Sequence, residues 1–459
     1  MRPLPRPRQW SIGALLAVAV VTVPVAAQAQ PDDGTRAGAG TSATSAIEHH
    51  SLEDALAEVG TTRAEFSSES SLADLLAAAS AEYTASFPSS FAGVQIVGDS
   101  GQIAVVHGAD GSDLLINDAL ARGFTVSYAP APARELDETA DRLQNWADSL
   151  PPAQRDRIAT IDVDPSTGEV TMVTGESGSA PPPPAELGVS VRPGGFRPAQ
   201  GSVGSSTAPP DASPGTGNPV DPLPSTLPPD SMVGGSPIYV TSPSGDASNI
   251  CSLGFNGIRN NKVVNITVAH CSTFADPATS KSVFSPGTIS EQTLDRTQLG
   301  SFTNEEADTI LDAALVTIDS EDQSRFRNSH VRSRGAQPLA LSDSQSPVKG
   351  QTLCKFGQTT GYTCGKVTGV GSASTSDHRG VEINLCVIAG DSGGVVFSAT
   401  GAVAVTSLSN AFNAAGAPYS SCDEADRDLR LHHGTVPMMV GVTVKSIESR
   451  FPGLQIGAL

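Results

Sequence analysis

No cysteine occurs before residue 250, and no Cys-x-x-C pair occurs anywhere in the 459 residues. Only Cys271 adjoins a histidine, so a zinc centre is not expected. Basic charge is scarce: 28 Lys and Arg stand against 48 Asp and Glu, a formal net charge of −20. Phosphate recognition needs clustered cations, so no nucleic-acid partner is expected. Long apolar runs are missing after the first, Trp10 to Val25. That run follows Arg2, Arg6 and Arg8 and precedes Ala27-Gln28-Ala29, the pattern of an export signal over residues 1–29. The rival reading is a membrane anchor, for which the run is short of the ~20 residues a span requires. The remainder is expected to be secreted, with no integral membrane span in the mature form.

What is present points to several parts. The length exceeds what one hydrophobic core supports. Glycine (45) and proline (34) are abundant, and much of the proline falls in one stretch. The six cysteines are Cys251, Cys271, Cys354, Cys364, Cys386 and Cys422, an even count that behind an export signal implies disulfides. Six cysteines allow 15 pairings, which sequence alone does not choose between.

Residues 30–50 are rich in Gly, Ser, Thr and Ala and are expected to lack structure. Helices are predicted after Ser51-Leu52-Glu53-Asp54, ending at Gly60, and again after Ser71-Leu72-Ala73-Asp74. A hairpin is predicted over Gly93 to His107, and strands over Phe124–Tyr128, Ile158–Val163 and Glu169–Val173. Leu136, Ala140, Leu143, Trp146 and Leu150 share one face of a helix. Together, 30–175 reads as a small α+β unit with no catalytic constellation of its own. Residues 176–231, with Pro181 to Pro184, read as an extended, exposed linker, either a spacer or a protease-sensitive junction. From 232 to 459 the texture is all β, with predicted helix scarce until Val444–Phe451.

The chemistry lies in this last part. A serine hydroxyl needs a base, a group that orients the base, and donors for the developing oxyanion. Gly390-Asp391-Ser392-Gly393-Gly394 offers Ser392 as nucleophile, with the amides of Gly390 and Ser392 as oxyanion donors. A Gly-rich turn without chemistry is the plain alternative. Thr267-Val268-Ala269-His270-Cys271 ends an apolar run with a histidine beside a cysteine, which favours His270 over His330, His378, His432 and His433 as the base. A lone histidine is otherwise more often a structural residue. Asp312 directly precedes the apolar run Ala313–Ile318 and is preferred to Asp308 as the orienting acid. The order is His, Asp, Ser, spaced by 42 (312 − 270) and 80 (392 − 312) residues, the chymotrypsin order rather than the subtilisin or α/β-hydrolase one.

With these residues the segment 232–459 resembles the bacterial branch of chymotrypsin-like serine proteases, the streptogrisins and alpha-lytic protease. The resemblance is carried by Val233-Gly234-Gly235-Ser236-Pro237-Ile238-Tyr239, Cys251-Ser252-Leu253-Gly254-Phe255-Asn256, Gly357-Gln358-Thr359-Thr360-Gly361-Tyr362 and Cys386-Val387-Ile388-Ala389-Gly390-Asp391-Ser392. It implies two six-stranded antiparallel β-barrels with the active site between them. It implies the disulfides Cys251–Cys271, Cys354–Cys364 and Cys386–Cys422. It implies that Ser407 hydrogen-bonds the catalytic aspartate and that Ser407-Leu408-Ser409 pairs with substrate backbone. It also implies that 30–175 is a pro-region that assists folding and then inhibits, with the mature chain starting near Met232 or Val233. The rivals are an N-terminal binding domain that stays attached and, for the whole chain, a catalytically dead binding relative.

The sequence departs from the family at Val268-Ala269 before His270 and in the longer stretch Asn410–Ser421 with Asp423-Glu424-Ala425-Asp426. Val387, Ile388 and Ala389 are expected to line a pocket for an apolar or medium-sized P1 side chain. The acidic stretch 423–428 would suit basic residues and His432 with His433 an acidic one, although solvated loops explain both. The chemistry is complete in side chains and amides, so no metal or organic cofactor is expected. Asn265-Ile266-Thr267 matches a glycosylation acceptor but falls inside a strand and is discounted.

Overall fold

A computed structural model describes residues 51–155, 157–175, 180–199, 201–203, 226–228, 230–241, 248–272, 281–290, 293–302, 307–308, 311–332, 339–371 and 380–457. The export signal and His378 lie outside the described residues. Among the described residues no helix is long and apolar enough to cross a membrane.

The chain enters through the helix Leu52–Glu58, whose first turn is closed by a reciprocal capping box between Ser51 and Asp54. The next helix corrects an expectation. It does not start at Ser71 but runs 24 residues from Arg63 to Ser86, capped by Thr62 and Glu65. Glu65 accepts from the Thr62 amide at 2.8 Å, and Thr62 Oγ1 accepts from the Glu65 amide at 3.2 Å. Ser71 sits in mid-helix and returns its hydroxyl to the Ser67 carbonyl. A cap motif inside an already propagating helix has no free amides to satisfy.

Strands Phe91–Val97 and Ser100–Val106 pair antiparallel, and Thr125–Ala129 joins the second in parallel. The long helix and Ser112–Ala121 pack on this sheet through Leu76, Tyr83, Leu115 and Ala119. Helix Ala133–Asp148 covers a second hairpin, Ile158–Asp164 with Glu169–Thr174, through Leu136, Ala140, Leu143 and Ala147. The expected single α+β unit is therefore two packets, and the second hairpin continues the C-terminal sheet through Val163 opposite Val370.

Six C-terminal strands close into a barrel in the order Thr352–Gly357, Val395–Phe397, Gly401–Ser409, Met439–Thr443, Val381–Ile383, Gly361–Val370, the last pairing with the first. Gly401–Ser409 is buried at every position, the apolar Ala402–Val405 and the polar Thr406, Ser407 and Ser409 alike. The other six, Asn256–Arg259, Lys262–Thr267, Ala313–Ile318, Thr293–Phe302, Lys281–Ser290 and Pro237–Thr241, form a continuous antiparallel path. No ladder closes this path among the described residues, unlike the expected second barrel. Its two edges are taken by other partners, Leu454–Ile456 at one end and Ser248–Ser252 at the other. Asn265 is fully buried within this sheet and donates to Gly254 and Asn256. The disulfides join Cys251 to Cys271, Cys354 to Cys364 and Cys386 to Cys422. An unexpected helix, Cys422–Asp428, is capped by Ser421 accepting from the Glu424 amide. Ser421-Cys422-Asp423-Glu424 carried that signal in the sequence.

The stretch expected to be an exposed linker is in part built into both sheets. Ser190–Pro193 runs parallel to Glu169–Thr174, Arg197–Pro198 antiparallel to Gly401–Ser409, and Gly201–Val203 antiparallel to Ser248–Ser252. Phe196 and Ala199 are buried. A proline-rich segment forms no sheet of its own, but at a sheet edge it needs only alternate amides, and here the ladders come from elsewhere.

One partly buried charged cluster joins these layers. Arg192 bridges Asp162 at 3.2 Å and Glu382, a barrel residue, at 2.7 Å. Asp162 Oδ1 is buried without a hydrogen-bond partner. Burial, and secondarily the Glu382 carboxylate, push the Asp162 carboxyl up to about 7, against the pull of Arg192 and Lys349. The folded chain therefore holds a proton that the unfolded chain releases near pH 4. Stability is expected to fall as pH rises from about 4 to 7, by up to ~1.4 kcal/mol per pH unit from this group. Asp162→Asn should flatten that slope in denaturant titrations across the window, and an unchanged slope would count against the assignment.

Candidate active site

Strands Lys262–Thr267 and Ala313–Ile318 pair antiparallel with Thr267 opposite Ala314, so the residues just beyond one and just before the other meet at the same sheet end. His270 sits there in the short 3-10 turn Ala269–Ser272, beside the Cys251–Cys271 bond. Asp312 sits in the turn before Ala313 with φ of 58°, a left-handed conformation that Asp tolerates better than most residues. Asp312 Oδ1 accepts the His270 backbone N–H at 2.9 Å, and Oδ2 lies 2.8 Å from His270 Nδ1. Ser407 donates its hydroxyl to the same Oδ2. The aspartate is 4% exposed, and these donors replace the water it has lost. Asp308, the rival acid, has its backbone opposite Ala313, whereas Asp312 is the carboxylate in contact with His270.

Ser392 comes from the closed barrel, and its Oγ lies 2.8 Å from His270 Nε2. Its loop is held from the other sheet: Ser252 N donates to Ser392 O at 2.7 Å, and Ser252 Oγ to Gly390 O at 3.0 Å. Gly390 and Gly393 have φ of 103° and 82°. A Cβ at Gly390 would stand 2.4 Å from Thr359 Oγ1, and one at Gly393 2.3 Å from Thr267 Oγ1. Only glycine fits at either point.

Beneath the loop lies a pair that sequence reasoning missed. Lys355 Nζ and Asp391 Oδ2 are 2.9 Å apart with both side chains fully buried. Asp391 also accepts the amides of Thr359, Thr360 and Ile388 and the Thr360 hydroxyl. Lys355 further donates to Gly361 O. The clue was a lone lysine in a strand whose every position is buried, Thr352–Gly357. Nothing local names its partner.

Val387 and Ile388 are buried, and Ala389 is half-buried. Val387 O accepts from Ser409 Oγ at 2.6 Å. The strand Ser407-Leu408-Ser409 has a partner from the chain itself. Ser409 stands opposite Arg197 and Leu408 opposite Pro198. Ala199 N donates to Ser407 O at 3.2 Å, and Gly390 N donates to Ala199 O at 2.8 Å. Three carboxylates of the acidic stretch 423–428 are satisfied locally: Glu424 by Ser420, Asp426 by Arg430, and Asp428 by Tyr419 and His432. The side chains of His432 and His433 are 61% and 44% exposed, and both face Asp428.

No protein-family model matches the chain, and no curated protein matches it. Similar solved structures include a glutamic-acid-specific serine protease described as using a histidine triad in substrate binding, at 20% identity over 49% of this chain and 100% of that one, with a TM-score of 0.34. An alpha-lytic protease homologue is 19% identical over 49% and 98%, with a TM-score of 0.33. Protease A of Thermobifida fusca is 18% identical over 49% and 98%, with a TM-score of 0.31. What this site can do chemically follows from its own geometry.

Proposed function

We propose that the chain is a secreted serine endopeptidase made as a zymogen, acting through an acyl-enzyme intermediate. The observation that carries the reading is the unbroken chain from Ser392 Oγ to His270 Nε2 and from His270 Nδ1 to Asp312, both at 2.8 Å. His270 takes the hydroxyl proton as Ser392 Oγ attacks a peptide carbonyl. The oxyanion is received by the amides of Gly390 and Ser392. His270 then returns the proton to the leaving amine, and water hydrolyses the ester by the reverse sequence. Asp312 holds the Nδ1–H tautomer and stabilises the imidazolium. Polypeptides are the substrates, and no step requires a metal or cofactor.

The N-terminal part is read as a pro-region, folding aid and inhibitor in one. Support for the inhibitory role is the seating of Ala199, in the stretch 176–231 that follows it, against Gly390 and Ser407. A fluorophosphonate is expected to label Ser392 in processed, folded protein and to leave Ser392→Ala unlabelled. A processed, folded sample that does not label would favour a catalytically inactive binding protein instead.

A further inference from the structure

The segment Phe196-Arg197-Pro198-Ala199 occupies the cleft in the manner of a substrate. It runs antiparallel to Gly401–Ser409 at its Ser407–Ser409 end, as added strands do when an enzyme grips a peptide by its backbone. The Ala199 carbonyl oxygen is held by the Gly390 amide at 2.8 Å, the donor beside the nucleophile. Its amide is held by Ser407, whose hydroxyl meets the catalytic aspartate. From this geometry we infer that, granted the protease reading above, the chain cuts itself between Ala199 and Gln200.

The step balances without an external partner other than water. A bond forms between Ser392 Oγ and the Ala199 carbonyl carbon, and the bond from that carbon to the Gln200 nitrogen breaks. The serine proton passes through His270 to the departing Gln200 amine. Water then releases Ala199 as a carboxylate and restores the Ser392 hydroxyl, again through His270.

Each side chain of the segment has a place. The Ala199 methyl is fully buried and belongs to an apolar cluster with Leu385, Val387 and Met439, surroundings that suit a small apolar side chain before the cut. Pro198 is exposed and lies between residues that bond to the strand, where its missing N–H costs no ladder bond. The Arg197 guanidinium lies 5.6 Å above the Phe412 ring and donates to Gly416 O, both in the long stretch Asn410–Ser421. Phe196 is buried with Leu408 and Val440 of the barrel and with Ala159 and Val173 of the N-terminal hairpin.

The expected mature start near Met232 or Val233 lies outside the cleft. Met232 and Val233 are buried, Met232 N donates to Arg325 O, and Gly234 N donates to His330 O. That stretch is part of the wall of the fold, outside the strand pairing of the cleft. The first cut therefore falls upstream of it. It leaves the new Ala199 carboxylate seated in the cleft, so the cut form stays latent until the N-terminal part leaves. The substrate class follows too: polypeptides with a small apolar residue before the scissile bond.

Full-length wild type and Ser392→Ala, expressed in parallel, test this by N-terminal sequencing and intact mass. Wild type is expected to yield a chain beginning at Gln200 and Ser392→Ala to remain joined there. Processed enzyme should also cut a synthetic peptide of residues 193–204 after alanine, at least ~10-fold faster than the same peptide carrying Ala199→Phe. Processed enzyme whose Ser392 labels with fluorophosphonate, but whose earliest new N-terminus is not Gln200, overturns the inference and leaves the protease reading standing. A chain that neither cuts nor labels overturns both.

Discussion

Asp312→Asn is expected to lower kcat by ~10⁴-fold while leaving the fold and its melting temperature nearly unchanged. The reason is donor accounting. Asp312 Oδ1 faces a backbone N–H and Oδ2 faces His270 Nδ1 and the Ser407 hydroxyl. An asparagine must turn its NH2 toward one of the two. The His270 backbone amide has no alternative to donating, so the NH2 turns to the ring. The imidazole then takes the tautomer with its proton on Nε2, and that nitrogen no longer accepts from Ser392. Asn tolerates the left-handed φ of 58°, so backbone strain does not confound the comparison as it would in Asp312→Val. Steady-state kinetics on a small-residue peptide, beside a thermal melt, would decide it. A loss under ~10-fold would remove Asp312 from the proposed triad.

Lys355→Met is expected to cost ~3–5 kcal/mol of stability, because it strands a fully buried carboxylate. The same variant should lose most fluorophosphonate labelling. Asp391 does not only pair with Lys355; it braces the nucleophile loop at both ends. Its amide donates to Ile388 O, its carbonyl accepts from Gly394 N, and its carboxylate takes the Ile388, Thr359 and Thr360 amides. A carboxylate seeking water would pull Ser392 away from His270. Lys355→Met with Asp391→Asn should recover part of the stability, since the uncompensated charge is then gone. Denaturant midpoints for the three proteins measure this, and a single-variant cost under ~1 kcal/mol would contradict it.

The site was legible in the sequence where chemistry and strand ends coincide. His270 follows an apolar run and Asp312 precedes one, and antiparallel pairing of those two runs brings them to one edge. Gly390 and Gly393, on either side of Ser392, announce a loop whose backbone favours glycine. The helical face of Leu136, Ala140 and Leu143 was visible because a 3.6-residue period is a local property. Ser71 misled for the same reason, since a cap motif says nothing about whether a helix is already under way. The pairing of Lys355 with Asp391 was hidden, because the lysine's neighbours in its strand describe burial and not its partner.

The sequence by itself determined which residue types can do the chemistry and in what order they come along the chain. It also determined the local elements whose periods or caps lie within a few residues. Tertiary structure decided what those elements meet. It closed one barrel and gave the edges of the other sheet to outside strands. It also drew Phe196–Ala199 out of a proline-rich stretch into the cleft. A proline-rich segment has no ladder of its own to display, so its place as a strand existed only once Ser407–Ser409 supplied the partner.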